Sequence, residues 1–251
     1  MSETLYFNFP ISFLSKTIQQ GLKDPKATKE KRRLFLHHIL YYHLYRYYLK
    51  LTEHYQETDM LEYEETDEQR MRKVAGYWNI KLGDIQSALI NGKRLTDKKH
   101  CVFVGLNYDI FWDFYKNIDT KTQFDWDCLF MFLALKSILG KSKYTKTNNN
   151  LVYARMWGKE RLADYKTLKE KNNFTEYYRK KIITELQPHP NSNHGKGWGL
   201  KYYGRYMKGF YFSFTLTQDE IIRIAESKRQ INKNRAIQEQ NKKILKTLNK
   251  Y

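Results

Sequence analysis

Phe130-Met-Phe-Leu-Ala-Leu-Lys-Ser-Ile-Leu139, Thr147-Asn-Asn-Asn-Leu-Val-Tyr-Ala-Arg-Met-Trp157, Thr175-Glu-Tyr-Tyr-Arg-Lys-Lys-Ile-Ile-Thr-Glu-Leu186 and Gly209-Phe-Tyr-Phe-Ser-Phe214 follow one another along this chain. The first, extended back to Phe124, is apolar almost all round, a pattern that suits a helix buried on every side. Gly140 supplies its C-cap. Thr147 reads as the N-cap of a second helix that turns Leu151, Ala154 and Met156 inward and stops at Gly158. Lys159 to Asn173 is charged, helix-forming and longer than a turn between helices needs, so it reads as an inserted half-helix. Thr175 caps a third helix, with Tyr178, Ile182, Ile183 and Leu186 as its apolar stripe. Arg179, Lys180, Lys181 and Thr184 then fall off the stripe, on faces a partner can reach. Pro188 stops this helix, because the residue before proline avoids helical geometry. Two aromatic runs, Trp198 to Tyr203 and Gly209 to Phe214, then alternate as strands do. The turn between them, Gly204-Arg-Tyr-Met-Lys208, puts Arg205 and Lys208 at its tip. Three helices and a hairpin result.

Charge points the same way. The 251 residues carry a formal net charge of +18, which favours a polyanionic partner, nucleic acid before an anionic membrane. Its distribution is uneven. Lys141 to Thr215 holds 16 Lys or Arg against 5 Asp or Glu, whereas Thr52 to Glu68 holds 8 acidic residues and no Lys or Arg. A binding face requires such a concentration, and Lys143, Lys146 and Lys201 join the candidates on that ground. The 21 tyrosines suit partly buried surfaces, since the ring packs while the hydroxyl stays polar.

Toward the N-terminus, Leu5 to Leu14 is a short apolar entry, broken by Pro10, that is expected to pack onto the body. Gly21 to Thr28 reads as a loop. From Lys29 to Tyr55, Leu34, Phe35, Ile39, Tyr42, Tyr45 and Leu49 recur at helical spacing and predict a long helix. His37, His38 and His43 lie on it without the i, i+4 spacing of a zinc helix, so they read as packed histidines. Glu57 to Glu68 is an acidic linker. Gln69 to Ile80 and Ile85 to Ile90, joined across Gly83, outline a second helix-turn-helix within residues 69–92, an outline any antiparallel helical pair shares. Asn91-Gly92 is expected to stop it. Cys101 to Val104 has strand propensity but meets Gly105, and Asp109 to Asn117 predicts a short aromatic helix before a polar break at Asp119 to Thr122. Domain limits are expected at residues 1–120, 121–216 and 217–251.

Beyond the hairpin, Thr217-Gln-Asp-Glu220 matches a capping box. The helix it opens carries Ile221, Ile222, Ile224, Ala225 and Ile231. Ile224, Ile231 and Leu245 fit a seven-residue repeat that Gln238 interrupts, so this helix offers a homodimer contact or a basic tail on nucleic acid. A protein partner would instead use the aromatic N-terminal helix.

Motifs of catalysis are missing: no phosphate loop with Lys and Ser or Thr, no His-Glu-x-x-His, no Gly-x-Ser-x-Gly. Neither catalytic residues, a metal nor a cofactor is expected. His189 and His194 lack an accompanying carboxylate or thiol cluster. Cys101 and Cys128 can form at most one disulfide, and a reducing cytoplasm is the expected location. The start has no leader-like pattern, and no run reaches the roughly 18 apolar residues that span a bilayer.

The order of elements from Phe124 to Phe214 resembles winged helix-turn-helix DNA-binding domains. Ala134 to Gly140, Arg155 to Gly158 and Lys208 to Ser213 also resemble proteins of bacterial mobile elements and phages. The resemblance implies a mainly α fold with a small β-hairpin: a helical N-terminal half, a winged-helix C-terminal half and a long C-terminal helix. It further implies that the third helix, through Arg179, Lys180, Lys181 and Thr184, enters the major groove of double-stranded DNA. The wing, through Arg205 and Lys208, would touch backbone or minor groove. Transcription control or replication initiation is the role expected. The alternative is a non-enzymatic subunit of a nucleoprotein complex that holds RNA or DNA without reading sequence.

Overall fold

Pro25–Glu57 forms α1, the spine of the N-terminal unit. This computed structural model describes residues 6–14, 25–57, 66–80, 85–97, 99, 102–161, 175–188, 198–204 and 209–248. The helix begins at Pro25, earlier than the loop expected up to Thr28, because proline at a first helical position has its φ preset and needs no N–H partner. Phe35, Leu36, Ile39, Leu40, Tyr42, Leu44 and Tyr48 make its buried stripe, and His38 and His43 are buried among them.

Onto α1 pack α2 (Asp67–Tyr77) and α3 (Ile85–Thr96). Thr66 caps α2 through a capping box with Gln69. Gly92 does not stop α3 as expected; the helix runs on to Thr96. The reason is a close approach. A Cβ at Gly92 would lie 2.4 Å from the Tyr45 Cβ and 2.9 Å from the Tyr41 carbonyl oxygen. Glycine here lets two helices touch, at about 1 kcal/mol of lost helix propensity.

β1 (Tyr6–Pro10) pairs antiparallel with β2 (Phe103–Asn107), setting buried Phe7 against Leu106 and Phe9 against Val104. The expected entry segment is therefore a strand followed by a 3-10 turn, Ile11–Leu14. Gly105 continues β2 rather than ending it, since it faces Asn8 with the Asn8 Oδ1 only 3.0 Å from where a Cβ would sit. Asn107 caps α4 (Tyr108–Lys116), its side chain accepting from the Asp109 N–H at 2.7 Å.

α5 (Gln123–Leu139) starts at a capping box between Thr122 and Asp125 and ends at Gly140, φ 57°. Twelve of its 17 residues are buried, as an all-round apolar helix requires. It packs against β2 and the 3-10 turn. Its Phe130 meets Phe35 at 6.0 Å between ring centres, and Trp126 meets Phe114 at 5.1 Å. Phe7, His43, Trp78 and Phe111 form a second aromatic cluster, with centroid distances of 5.1 Å for Phe7–His43 and 4.4 Å for both His43–Trp78 and Phe7–Phe111. His43 Nδ1 accepts from the Asn8 N–H at 3.3 Å. Burial, then the charges of Arg46 and Lys50, lower the His43 pKa to about 4.

The remaining elements are β3 (Thr145–Thr147), α6 (Asn149–Met156), α7 (Glu176–Leu186), β4 (Lys201–Gly204), β5 (Phe210–Ser213) and α8 (Gln218–Leu248). Three short strands make an antiparallel sheet in the order β3-β5-β4. Thr147, expected as a helix cap, is instead a buried strand residue opposite Phe210, and the helix begins two residues later. Ala154 and Met156 are buried as expected, with Val152, while Leu151 is partly exposed.

Contacts divide the chain into two units, Met1–Gly140 with Asn150–Asn172, and Lys141–Asn149 with Asn173–Tyr251. This differs from the limits expected at residues 120 and 216. The buried α5 belongs with the aromatic helices and β2. The start of α8 belongs with the sheet, because Ile221 and Ala225 are buried and the helix packs on β4 and β5. Residues 58–65 of the acidic linker, the expected turn at Gly83, Cys101, most of the inserted half-helix, and His189 and His194 lie outside the described residues, while Thr66 to Glu68, expected in the linker, are the cap and first turn of α2.

Two tests follow from the packing. Gly92→Ala is expected to destabilise the protein by about 1–3 kcal/mol through overpacking, while Gly76→Ala, with nothing within 4 Å of the added methyl, stabilises it by about 0.4–1 kcal/mol in chemical denaturation. For His43, the folded pKa is depressed, so the unfolded state binds the extra proton and stability falls as pH drops from about 6.5 toward 4. Between pH 7 and pH 5, His43→Gln should remove about 2 kcal/mol of the acid sensitivity seen in the unaltered protein.

Candidate nucleic-acid interface

α7 is two-faced. Thr175 caps it, the hydroxyl accepting from the Tyr178 N–H at 3.2 Å. Arg179, Ile182, Ile183 and Leu186 are buried, at i, i+3, i+4 and i+7. Tyr177, Lys180, Lys181 and Thr184 repeat the same spacing on the other side and are all exposed. Lys180 pairs with Glu176 one turn earlier at 3.1 Å, an exposed pair contributing a few tenths of a kcal/mol.

Arg179 therefore leaves the expected contact set. It is 4% exposed, and its Nη1 donates to Asn149 Oδ1 at 3.1 Å. Its position explains this: it lies three residues before Ile182 and four before Ile183, so it continues the apolar stripe rather than opposing it. Tyr178, the residue expected there, is only partly buried. Tyr177 takes the outer place, 79% exposed.

The end of α7 is tied to the sheet, with the Leu200 N–H donating to the Leu186 carbonyl at 3.0 Å. Thr184 and Lys201 line one open cleft of about 500 Å³ with Gln187, Pro188, Leu200 and Gln218. The Lys201 ammonium donates to the Gly199 carbonyl at 3.3 Å. Two of the expected residues from separate elements thus border one cleft.

Lys143 and Lys146 lie elsewhere. β3 and β4 are the opposite edges of the sheet, with β5 between them. Lys146 stands opposite Tyr211, its Nζ 5.7 Å from the centre of that ring. Tyr203 is the other cross-strand neighbour of Tyr211, and the Arg229 guanidinium lies 5.9 Å from the Tyr203 ring centre. Lys146, Tyr211, Tyr203 and Arg229 form a row of two rings with a cation at each end, Arg229 also pairing with Glu226 at 2.6 Å. The Lys143 carbonyl accepts from Ser213 Oγ at 2.6 Å. Its charge is the smallest of the influences that lower the Glu220 pKa, after hydrogen bonds from the Thr217 N–H and hydroxyl and the charge of Arg223.

Arg205 and Lys208 lie outside the described residues, but both ends of their turn are pinned by glycine. Gly209 has φ 83°, and a Cβ there would be 2.4 Å from the Thr147 carbonyl oxygen. At Gly204 it would be 2.5 Å from the Phe210 Cα. The strands approach too closely for any side chain at these two places.

Sequence reading missed Tyr177, Tyr211 and Arg229. Helical spacing from Lys180 and Lys181 would have found Tyr177, and strand alternation against Phe210 and Phe212 would have found Tyr211. Arg229 needs tertiary structure, because only the packing of α8 on β4 brings it over Tyr203.

In the N-terminal unit, a cleft of about 790 Å³ is lined by Tyr108, Trp112 and Tyr115, with Asp109 and Asp113 beside them. Lys116 also lines it, and Lys121 pairs with Asp113 at 2.6 Å. Among the described residues, no group of three His, Cys, Asp or Glu is placed to hold a metal, and no helix is long and apolar enough to cross a membrane. Comparison with protein-family models, curated proteins and solved structures finds no match.

The two faces of α7 can be separated by substitution. Arg179→Ala should cost about 1–3 kcal/mol in chemical denaturation, for loss of a charged hydrogen bond beside the core. Lys181→Ala, at an exposed position, should stay within about 0.5 kcal/mol.

Proposed function

We propose that this chain is a sequence-specific double-stranded DNA-binding protein whose α7 enters the major groove. The observation that carries the reading is the exposed stripe Tyr177, Lys180, Lys181 and Thr184 on a helix whose opposite stripe is buried. A groove-binding helix needs both: one side anchored, the other carrying cations for phosphate and shorter groups for base edges. Lys180 and Lys181 supply the cations. Thr184 offers a hydroxyl and a methyl, and Tyr177 an aromatic edge.

Connectivity supports the same reading. Along the chain α5, α6 and α7 come before the β4–β5 pair, the order that the winged helix-turn-helix resemblance leads one to expect, while contacts group α5 and most of α6 with the N-terminal unit and α7 with the sheet. In that pattern the β4–β5 turn, with Arg205 and Lys208, reaches the backbone, while Lys201 sits close to the helix end. The biological role would be transcription control or replication initiation on a mobile element or phage.

A second reading is favoured by the Lys146–Tyr211–Tyr203–Arg229 row. Rings flanked by cations hold nucleic acid without reading it, as in sequence-tolerant binders. The chain would then be a non-enzymatic subunit of a nucleoprotein complex.

Selection from a random DNA pool, followed by titration of selected and scrambled duplexes at two salt concentrations, separates the readings. A specific binder keeps an affinity ratio of about a thousand or more between the duplexes. Lys180→Glu with Lys181→Glu should weaken both by at least about a hundredfold and flatten the salt dependence by about two contacts. Tyr177→Ala with Thr184→Ala should lower the ratio more than the scrambled-duplex affinity. Undiminished binding by the charge-reversed protein would remove α7 from the interface.

A further inference from the structure

Beyond Arg229, whose guanidinium lies over the Tyr203 ring, the distal part of α8 is exposed among the described residues. Ile221 and Ala225 are buried at its start, and Glu226 accepts a hydrogen bond from the Tyr203 hydroxyl. From Ser227 to Thr247 every side chain is exposed. That stretch is about 30 Å long.

Its residues sort into two faces. Ser227, Gln230, Ile231, Asn234, Ile237, Gln238, Asn241, Ile244 and Leu245 fall on one side, in the a, d and e places of a seven-residue repeat, and none is charged. The four apolar members are between 47% and 59% exposed. The opposite side carries Lys228, Arg229, Arg235, Lys242, Lys243 and Lys246 against Glu239. The repeat expected from Ile224, Ile231 and Leu245 is one edge of this face, and Gln238 belongs to it instead of breaking it.

We propose that this face pairs with the same face of a second copy of the chain, parallel and in register. Charge selects the occupant. Pairing along the uncharged face leaves the two basic sides pointing away from each other, and the g-to-e′ neighbours, Lys233 with Gln238 and Gln240 with Leu245, set no like charges together. An acidic protein or nucleic acid would take the basic side instead. Layer chemistry selects the register. In parallel alignment Asn234 meets Asn234 and Asn241 meets Asn241, and an amide both donates and accepts, so each layer is self-complementary. Ile237 and Ile244 likewise meet themselves. An antiparallel copy would set a positions against d′ positions, so that asparagine would face isoleucine and neither kind of layer would be self-complementary. Asparagine layers weaken a coiled coil while fixing two strands and their register, so a reversible dimer results.

Sedimentation equilibrium of the full chain without DNA tests this independently of the DNA-binding reading. Expected is a monomer–dimer equilibrium that Ile237→Lys with Ile244→Lys shifts to monomer, with the helical circular-dichroism signal of the folded monomer kept. Asn241→Ile should tighten it by about tenfold or more. Asn241→Cys should give an interchain disulfide on air oxidation, as in-register pairing requires. A monomer up to about 100 μM, near the weakest association a specific dimer would show, would overturn the proposal. So would a dimer untouched by the double lysine substitution. Failure of the Asn241→Cys link in a protein that still dimerises through Ile237 and Ile244 would overturn the parallel register.

Discussion

A helix that is apolar on every side cannot face water anywhere, and α5 is such a helix. Its burial needs cover from several directions. β2, the 3-10 turn at Ile11–Leu14 and the aromatic side chains Phe35 and Phe114 supply it. Much of the N-terminal unit reads as a response to that requirement. β1 pairs with β2 and packs on α1 and α4, and the ring cluster around Phe7 and His43 fills the space between β1 and α1. The cost appears at His43, which stays neutral because its charged form would lack water.

The C-terminal unit is organised by close backbone approach rather than by volume. Its sheet is three short strands, and two glycines hold the turn between β4 and β5 where a side chain would collide with Phe210 or Thr147. α7 is tied to the residue before β4 by one backbone hydrogen bond, and its inner stripe is buried. Such anchoring is what gives its other face a fixed presentation, and a fixed presentation is what base reading demands.

Electrostatics then divides the labour within that unit. The α7 face, with Lys201 nearby through the shared cleft, fits the proposed groove contact. The cation–tyrosine row on the sheet fits backbone contact. α8 carries its own separation, an uncharged side and a basic side, and the proposed pairing of two copies would present two α7 helices at once. Modest affinity per copy then suffices, because the second contact becomes intramolecular.

Helix existence was legible from the sequence alone: the α1 and α7 stripes, the all-round apolarity of α5 and the capping box at Thr217 are local periodicities. Mainly helical architecture, the hairpin and the long final helix follow from them. Tertiary structure decided the rest. Strand pairing between β1 and β2 joins residues far apart in the chain, and β3 is too short to announce itself. Gly92 reads as a stop until Tyr45 is seen against it. Arg179 shows the limit best. Its spacing from Ile182, Ile183 and Leu186 already put it on the inward stripe, but its charge argued for the surface. Asn149, brought alongside by the fold, offers a partner that lets an arginine stay inside.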